Sequence, residues 1–342
     1  MILKFRIIYV ENILENAETA MNTIPSTFNE YEINRTVLWG RQINTEVQFD
    51  ISVIIICKSG SHLHTQIFDN LLQCGFKSIV SVEPVSESFN IEEISRRYPS
   101  VKFIIPREKT SEGNLINAAV SEIDSNYFLV LRDSFNIPKG FMQKNLAENL
   151  LRDDVFCLVP RLIDKGGVSI VINFVPGAKK GKFVINPEPS VSDGLSTLYP
   201  FDYAGFYNRE KFVQLGGYDS TIESSYWQNV DLSLRAWLWG EKIKITTCFQ
   251  ISYNREIPLE KSSPDLAYIR FYLKNILPKF RDDHGAVGKF AFIPFYLKSK
   301  CGIFEALNLF REALVWIKKN QFRFKKDVQY LIENWTAFRN EE

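Results

Sequence analysis

From Ile51 onward the chain alternates between two kinds of apolar pattern. Ile51–Cys57 is a continuous β-branched run, the signature of a strand buried on both faces of a parallel sheet. Leu63, Ile67, Phe68, Leu71 and Leu72 then recur at helical spacing, with Gly75 where a C-terminal cap belongs. Ser78–Val82 predicts a second strand, Ile91–Arg97 a short helix and Val101–Ile105 a third strand. Leu115, Ile116, Ala119, Val120 and Ile123 mark the next helix, and Tyr127–Leu131 a fourth strand. Such alternation builds right-handed βαβ units, hence an α/β fold with an open, mostly parallel sheet flanked by helices. Ligands of such sheets bind beyond the carboxyl ends of the strands. The positions to inspect therefore follow Cys57, Val82, Ile105 and Leu131.

Either side of this core the pattern is weaker. Leu3–Val10 and Tyr31–Trp39 read as strands and Asn12–Met21 as a short helix, an N-terminal extension over 1–50 that is an added module or an edge strand. Short strands at Phe156–Pro160 and Val168–Phe174, with a Gly/Lys-rich turn at Gly177–Gly181, predict a hairpin leaving the sheet. A helix over Arg209–Leu215 precedes the tight turn Gly216-Gly217. On the helix after it Val230, Leu234, Trp237 and Leu238 share a core face, and Asp231 and Arg235 form an i, i+4 pair on another. After the 51–260 domain, a helical tail over 261–342 carries a stripe of Ile303, Leu307, Phe310, Leu314 and Ile317.

Composition changes this picture little. The 342 residues carry a formal charge of +1, which gives no nucleic-acid signature. The neutrality hides an asymmetry: 15 Lys+Arg stand against 9 Asp+Glu from Lys261 onward, leaving 26 against 31 before it. Five cysteines, with no C-x-x-C pair, read as buried free thiols of a reducing compartment. No signal-peptide pattern opens the chain and no run approaches the ~20 apolar residues of a membrane span. The expectation is a cytoplasmic protein. Lys289–Lys300 interleaves aromatics with lysines, so it either touches an anionic membrane face peripherally or packs as a helical subdomain, which Pro294 favours.

The candidate chemistry sits at strand and helix ends. Glu83 follows the second strand, where a carboxylate either binds a base or ribose or is a solvated loop residue. Ser111-Glu112-Gly113-Asn114 opens a helix, so Ser111 is an ordinary cap or the N–H groups face a phosphate. Arg132-Asp133-Ser134 follows the fourth strand. Asp133 alone is a weak metal ligand there, and Arg132 could offset phosphate charge itself, or the two are a plain ion pair. The helix start Trp227-Gln228-Asn229-Val230-Asp231 holds the remaining polar groups.

From about Ile51 to Tyr253 these residues resemble family-2-like glycosyltransferases with the GT-A fold. Gly216-Gly217-Tyr218-Asp219 and Asn229–Gly240 carry the specific match, with Arg132-Asp133-Ser134 at the family's Asp-x-Asp position. The resemblance implies nucleotide-sugar contacts at Ser59, Glu83, Gly113, Asn117, Arg132, Asp133 and Arg255. It implies an acceptor side built from Gly217, Tyr218, Asp219, Trp227 and Gln228. It implies catalysis by Asp231, Glu223 and Asn229, and Mn or Mg held weakly at Asp133. A UDP-sugar donor, a glycan or lipid-linked acceptor and cell-envelope polysaccharide synthesis at the inner membrane face are the implied setting.

The chain departs from that family where charge matters. Gln228-Asn229 stands in place of Glu-Asp, and an amide is neither a general base at neutral pH nor a source of charge for a cation. Three functions remain open: a transferase with weak or no metal dependence, a nucleotide-sugar or glycan-binding protein without turnover, and an interaction protein that keeps the fold alone.

Overall fold

The structure, a computed structural model, describes residues 28, 32–39, 47–58, 64–85 and 91–340. Its elements run β1 (Arg35–Leu38), β2 (Phe49–Ile56), α1 (His64–Leu72), β3 (Phe76–Val82), α2 (Ile91–Arg97), β4 (Val101–Pro106), α3 (Glu112–Ser121) and β5 (Tyr127–Arg132). There follow β6 (Phe135–Asn136), α4 (Lys144–Leu150), β7 (Cys157–Ile163), the hairpin β8 (Asn173–Lys179) and β9 (Lys182–Glu188), β10 (Gly205–Asn208), α5 (Arg209–Gln214), α6 (Ser225–Leu238) and β11 (Ile243–Tyr253). The C-terminal part adds α7 (Leu266–Phe271), a π-helical turn (Tyr272–Ile276), β12 (Lys279–Arg281), β13 (His284–Ala286), α8 (Phe292–Ser299), α9 (Ile303–Asn320), α10 (Val328–Glu333) and α11 (Trp335–Asn340).

Among the described residues nine strands form one sheet in the order β1-β4-β3-β2-β5-β10-β7-β11-β6. β4, β3, β2 and β5 are parallel, as the βαβ pattern predicts, and β7 pairs parallel to β11. β1, β6 and β10 are antiparallel insertions. The strand order reverses between β2 and β5, and this is where a doubly wound sheet opens a crevice at its carboxyl edge. β2 is buried along nearly its whole length, because helices cover both faces.

The N-terminal expectations divide. Arg35–Leu38 is the edge strand read within Tyr31–Trp39, whereas Leu3–Val10 and Asn12–Met21 lie outside the described residues. The middle excursion is the β8–β9 hairpin, whose turn at Lys180-Gly181 lies within the expected Gly177–Gly181, while its first strand starts at Asn173, later than Val168–Phe174 suggested. The cysteines are free, but Cys248 is exposed and Cys301 half-buried, so burial holds for Cys57, Cys74 and Cys157 only.

The largest departure concerns α6. Every residue from Trp227 to Leu238 is buried, not one face of the helix. The C-terminal segment is the reason. Trp335 packs edge-on against Trp237 with ring centroids 4.9 Å apart, Trp316 stacks on Trp239 at 6.0 Å, and the Lys325 N–H donates to the Leu238 carbonyl at 2.8 Å. In α9 the core face is Ala306, Leu309, Phe310, Ala313, Trp316 and Ile317, while Ile303 of the expected stripe is exposed. A helix buried all round must find internal partners for each of its polar residues.

Candidate functional site

The polar start of α6 is bound into a brace. Asn117 of α3 clamps the Tyr218 backbone: its Nδ2 donates to the Tyr218 carbonyl at 2.8 Å and its Oδ1 accepts the Tyr218 N–H at 2.9 Å. Gln228 does the same work from α6. Its Oε1 accepts the Gly113 N–H at 3.0 Å, and its Nε2 donates to the Asp219 carbonyl at 2.8 Å and to Asn114 Oδ1 at 3.2 Å. A Cβ on Gly113 would lie 2.6 Å from Gln228 Cδ and 2.7 Å from Tyr218 Cβ, so the two elements meet through a glycine. Gly217 holds φ +67° at the same junction, and a Cβ there would fall 2.6 Å from Asn117 Oδ1. Gly113 and Asn117 thus join α3 to Gly217, Tyr218, Asp219 and Gln228.

Below this brace lies a buried ion network. Asp231 has no solvent exposure. Its carboxylate accepts from Arg235 Nη2 at 2.5 Å, from Asn275 Nδ2 at 2.7 Å and from Lys274 Nζ at 3.2 Å. Lys274 also donates to Asp219 Oδ2 at 2.6 Å, and its ammonium sits 4.6 Å from the centre of the Trp316 ring. Burial alone would raise the Asp231 carboxyl, but the charges of Lys274 and Arg235 outweigh it and hold the group below its ordinary range. Asp231 does not line the cleft described next. Sequence spacing exposed the Arg235 pair but not Lys274, which is 43 residues away.

A cleft of about 720 Å³ opens at the carboxyl edge of the sheet. Lys58 after β2, Lys109 and Glu112 before and on α3, and Asp202-Tyr203 before β10 form one wall. The other comes from Thr221, Glu223–Tyr226 and Asn229 before and at the head of α6, from the segment after β11 including Glu260 and Lys261, and from Arg270 of α7. Asp202 and Tyr203 hold φ +52° and +62°, a left-handed pair in a turn at the mouth. Of the expected residues, Glu223 and Asn229 line the cleft. Asn229 Nδ2 donates to the Pro200 carbonyl at 2.7 Å. Trp227 stacks on Phe271 and its indole N–H donates to the Ser263 carbonyl at 2.9 Å, which fixes the loop over the cleft. Ser59 lies outside the described residues.

The strand ends are occupied by charge of both signs. Arg132 is 2% exposed; its Nη2 reaches Asp202 Oδ1 at 2.6 Å and Glu112 Oε2 at 2.8 Å. Burial opposes this guanidinium's charge, but Asp202 and Glu112 raise its pKa above the ordinary value. Glu112, also paired with Lys58 at 3.0 Å, is held down to about 2 by Arg132 and Lys58 against its own burial. Asp133 is buried and accepts the Lys58 N–H at 3.2 Å across the reversal point of the sheet. Glu83 is buried and accepts the Ser81 hydroxyl at 2.6 Å. It is therefore not the solvated loop residue of the alternative reading. Ser111 occupies the N-cap position of α3 without a side-chain cap bond. Arg255, half-buried after β11, is not part of the cleft wall.

These residues do not fit a divalent cation. At the Asp-x-Asp position the Arg132 guanidinium is paired with Glu112 and Asp202, so a metal there would meet like charge. Arg132 Nη1 has no hydrogen-bond partner among the described residues, so this spot calls for an acceptor and not for a cation. Among the described residues no group of three His, Cys, Asp or Glu could hold a metal ion.

Glu260 is the group that sequence reading missed. It lines the cleft, and Tyr199 donates its hydroxyl to Oε2 at 2.6 Å. Burial pushes its carboxyl up to about 7, and the charge of Asp202 adds to the rise while the Tyr199 bond opposes it. Nothing in the local sequence, Pro-Leu-Glu-Lys, signals this; its hydrogen-bond partner Tyr199 is 61 residues away.

No protein-family model and no curated protein matches the sequence. Among solved structures the chain is similar to GalNAc-T7 bound to UDP, GalNAc and Mn2+, with a TM-score of 0.54 and 15% identity over 85% of this chain. The chain spans 58% of the length of that protein. Looser similarities reach TarS 1-349 of S. aureus (TM-score 0.46, 13% identity, 77% of this chain and 70% of that one) and the mannosyltransferase PcManGT of Pyrobaculum calidifontis with GDP-Man and Mn2+ (0.42, 10%, 97% and 80%). At such identity the likeness to GalNAc-T7 concerns the fold alone. Together with the sheet order and the crevice at the β2–β5 reversal, it shows that the chain has a GT-A-like glycosyltransferase fold.

Proposed function

We propose that the chain binds a nucleotide-diphosphate sugar, a UDP-sugar first among candidates, and transfers the sugar to a hydroxyl of a glycan or lipid-linked acceptor. The reading places this reaction in cell-envelope glycan or polysaccharide assembly. It rests on one observation: a carboxyl poised near pH 7, Glu260, stands in a polar cleft at the carboxyl edge of the sheet. In this proposal Glu260 takes the acceptor proton as the acceptor oxygen bonds to the anomeric carbon. The bond from that carbon to the diphosphate breaks, and the leaving group departs with the electron pair. Lys58, Lys109 and Arg270 of the cleft wall offset its charge. In this proposal Asn229 and Glu223, which line the cleft, meet sugar hydroxyls. Asp231 keeps a structural role, because its carboxylate is already spent on Arg235, Lys274 and Asn275.

A second reading has its own support. The brace and ion network bind Gln228 and Asp231 of the α6 start, and Asn229 donates to the Pro200 carbonyl, which suits a nucleotide-sugar binder without turnover. The test is nucleotide release from a panel of UDP-, GDP- and dTDP-sugars, for the native chain and Glu260→Gln. Release from one donor, lost at least a hundredfold in Glu260→Gln with binding retained, supports transfer. Binding without release from any donor supports the second reading. Release unchanged in the variant removes Glu260 as the base.

A further inference from the structure

The segment from Lys289 to Phe304 has two opposite apolar faces. One packs inward: Phe295 is 4% exposed and stacks on Phe310, with ring centroids 5.8 Å apart. The other faces out. Phe290, Ile293 and Leu297 follow one another at helical spacing and are 67%, 53% and 76% exposed, and Phe304 at the head of α9 is 79% exposed. Single exposed apolar residues are ordinary, but with Ile303 five large ones within fifteen positions form a patch. α8 is short, as Pro294 predicts, and Pro294 falls in its first turn, where a proline removes no hydrogen bond.

Along the segment between Asp283 and Glu305, the latter exposed beside Phe304, the charge has one sign. No Asp or Glu occurs between Asp283 and Glu305, while Lys289, Lys298 and Lys300 flank the apolar side chains and are all exposed. Lys300 closes α8 in the left-handed conformation (φ +58°), so the chain turns sharply there and α9 follows after two residues, Cys301 and Gly302. We infer that this face docks on an anionic lipid bilayer. The aromatic and aliphatic side chains enter the boundary between headgroups and acyl chains, and the three lysines meet lipid phosphates. A second protein chain would have to offer both an apolar and an acidic surface, whereas an anionic membrane offers both without a specific shape. Docking here is peripheral, since no helix among the described residues is long and apolar enough to cross a membrane. The inference stands apart from the transfer reaction and does not depend on it.

The experiment is sedimentation of the full chain with sucrose-loaded vesicles, of phosphatidylcholine alone or with a third phosphatidylglycerol. With three lysines near the surface, the partition coefficient is expected to be on the order of a hundredfold higher on the anionic vesicles. Raising the salt should reverse much of this gain. Leu297→Ser with Phe304→Ser should lower it at least tenfold. The variant Lys289→Gln, Lys298→Gln, Lys300→Gln touches no core residue and should erase the difference between the two vesicle types. Equal partition onto neutral and anionic vesicles overturns the inference, as does no pelleting at all. It is also overturned if the native chain sediments in velocity runs as a dimer that Leu297→Ser with Phe304→Ser dissociates, because a second copy then covers the face.

Discussion

Replacing Asp231 by Asn separates a structural carboxylate from a catalytic one. The amide cannot satisfy the site in either orientation. If its Nδ2 replaces Oδ2 it faces Arg235 Nη2 and Lys274 Nζ, both donors; if it replaces Oδ1 it faces Asn275 Nδ2 and Lys274. Lys274 keeps Asp219 and Arg235 keeps the Leu215 carbonyl, but a charge is missing from a buried network. Removing one partner of a buried pair costs about 3–5 kcal/mol. With an unfolding entropy of about 2.1 cal/mol/K per residue, the 342 residues give a fall in Tm of roughly 4–7 °C. The native carboxyl loses its proton more readily than the unfolded one, because its pKa is lowered. Its stabilisation is therefore complete above about pH 4, the ordinary carboxylate range, and is lost as pH falls through the depressed native value. Calorimetric melts of native and variant proteins from pH 3 to 8 should differ at neutral pH and converge in acid. A variant with unchanged Tm at pH 7 and no transfer activity would refute this reasoning and return Asp231 to the chemistry.

Three further outcomes are expected. Gln228→Glu puts a carboxylate against the Asp219 carbonyl and Asn114 Oδ1 with no solvent access, and urea denaturation should show a loss of about 2–4 kcal/mol. An unchanged midpoint would show that the amide's donor is dispensable. If Glu260 is the base, kcat/KM should rise about tenfold per pH unit up to about 7 and flatten above, since the ionised carboxylate accepts the proton; a profile flat from pH 5 to 8 counts against it. Nucleotide affinity measured by calorimetry should stay within about twofold between EDTA and Mn2+, because Arg132 is paired with Glu112 and Asp202. A tenfold gain with Mn2+ would contradict that.

The sequence made the parallel half of the sheet legible because β2 to β5 are buried on both faces and joined by short amphipathic helices. Periodicity reports that arrangement directly. Gly113 and Asn117 were legible as special positions but not in their role, since the Tyr218 backbone they hold is about a hundred residues away. The i, i+4 spacing of Asp231 and Arg235 pointed to a helix-surface pair, and the C-terminal segment turns it into a buried one, with Lys274 and Asn275 against Asp231 and Trp316 beside Arg235. Glu260 carries no local signal, because a carboxyl's environment is set by what folds against it. The stripe in α9 was misplaced for a related reason: Trp316, left off it, is the residue that stacks on Trp239 and carries the buried face past Leu307 and Leu314.

The π-helical turn that carries Lys274 and Asn275 has a consequence for synthesis. A ribosome delivers the whole sheet, β1 to β11, before residue 274 leaves the exit tunnel. Until then Asp219 and Asp231 are without the ammonium that both contact. The Trp237 and Trp239 side of α6 also waits, for residues 316 and 335. The helix at the centre of the most conspicuous motif thus completes its buried contacts only with residues made well after it, and a chain ending before Lys274 should lose the stabilisation that Lys274, Trp316 and Trp335 give α6.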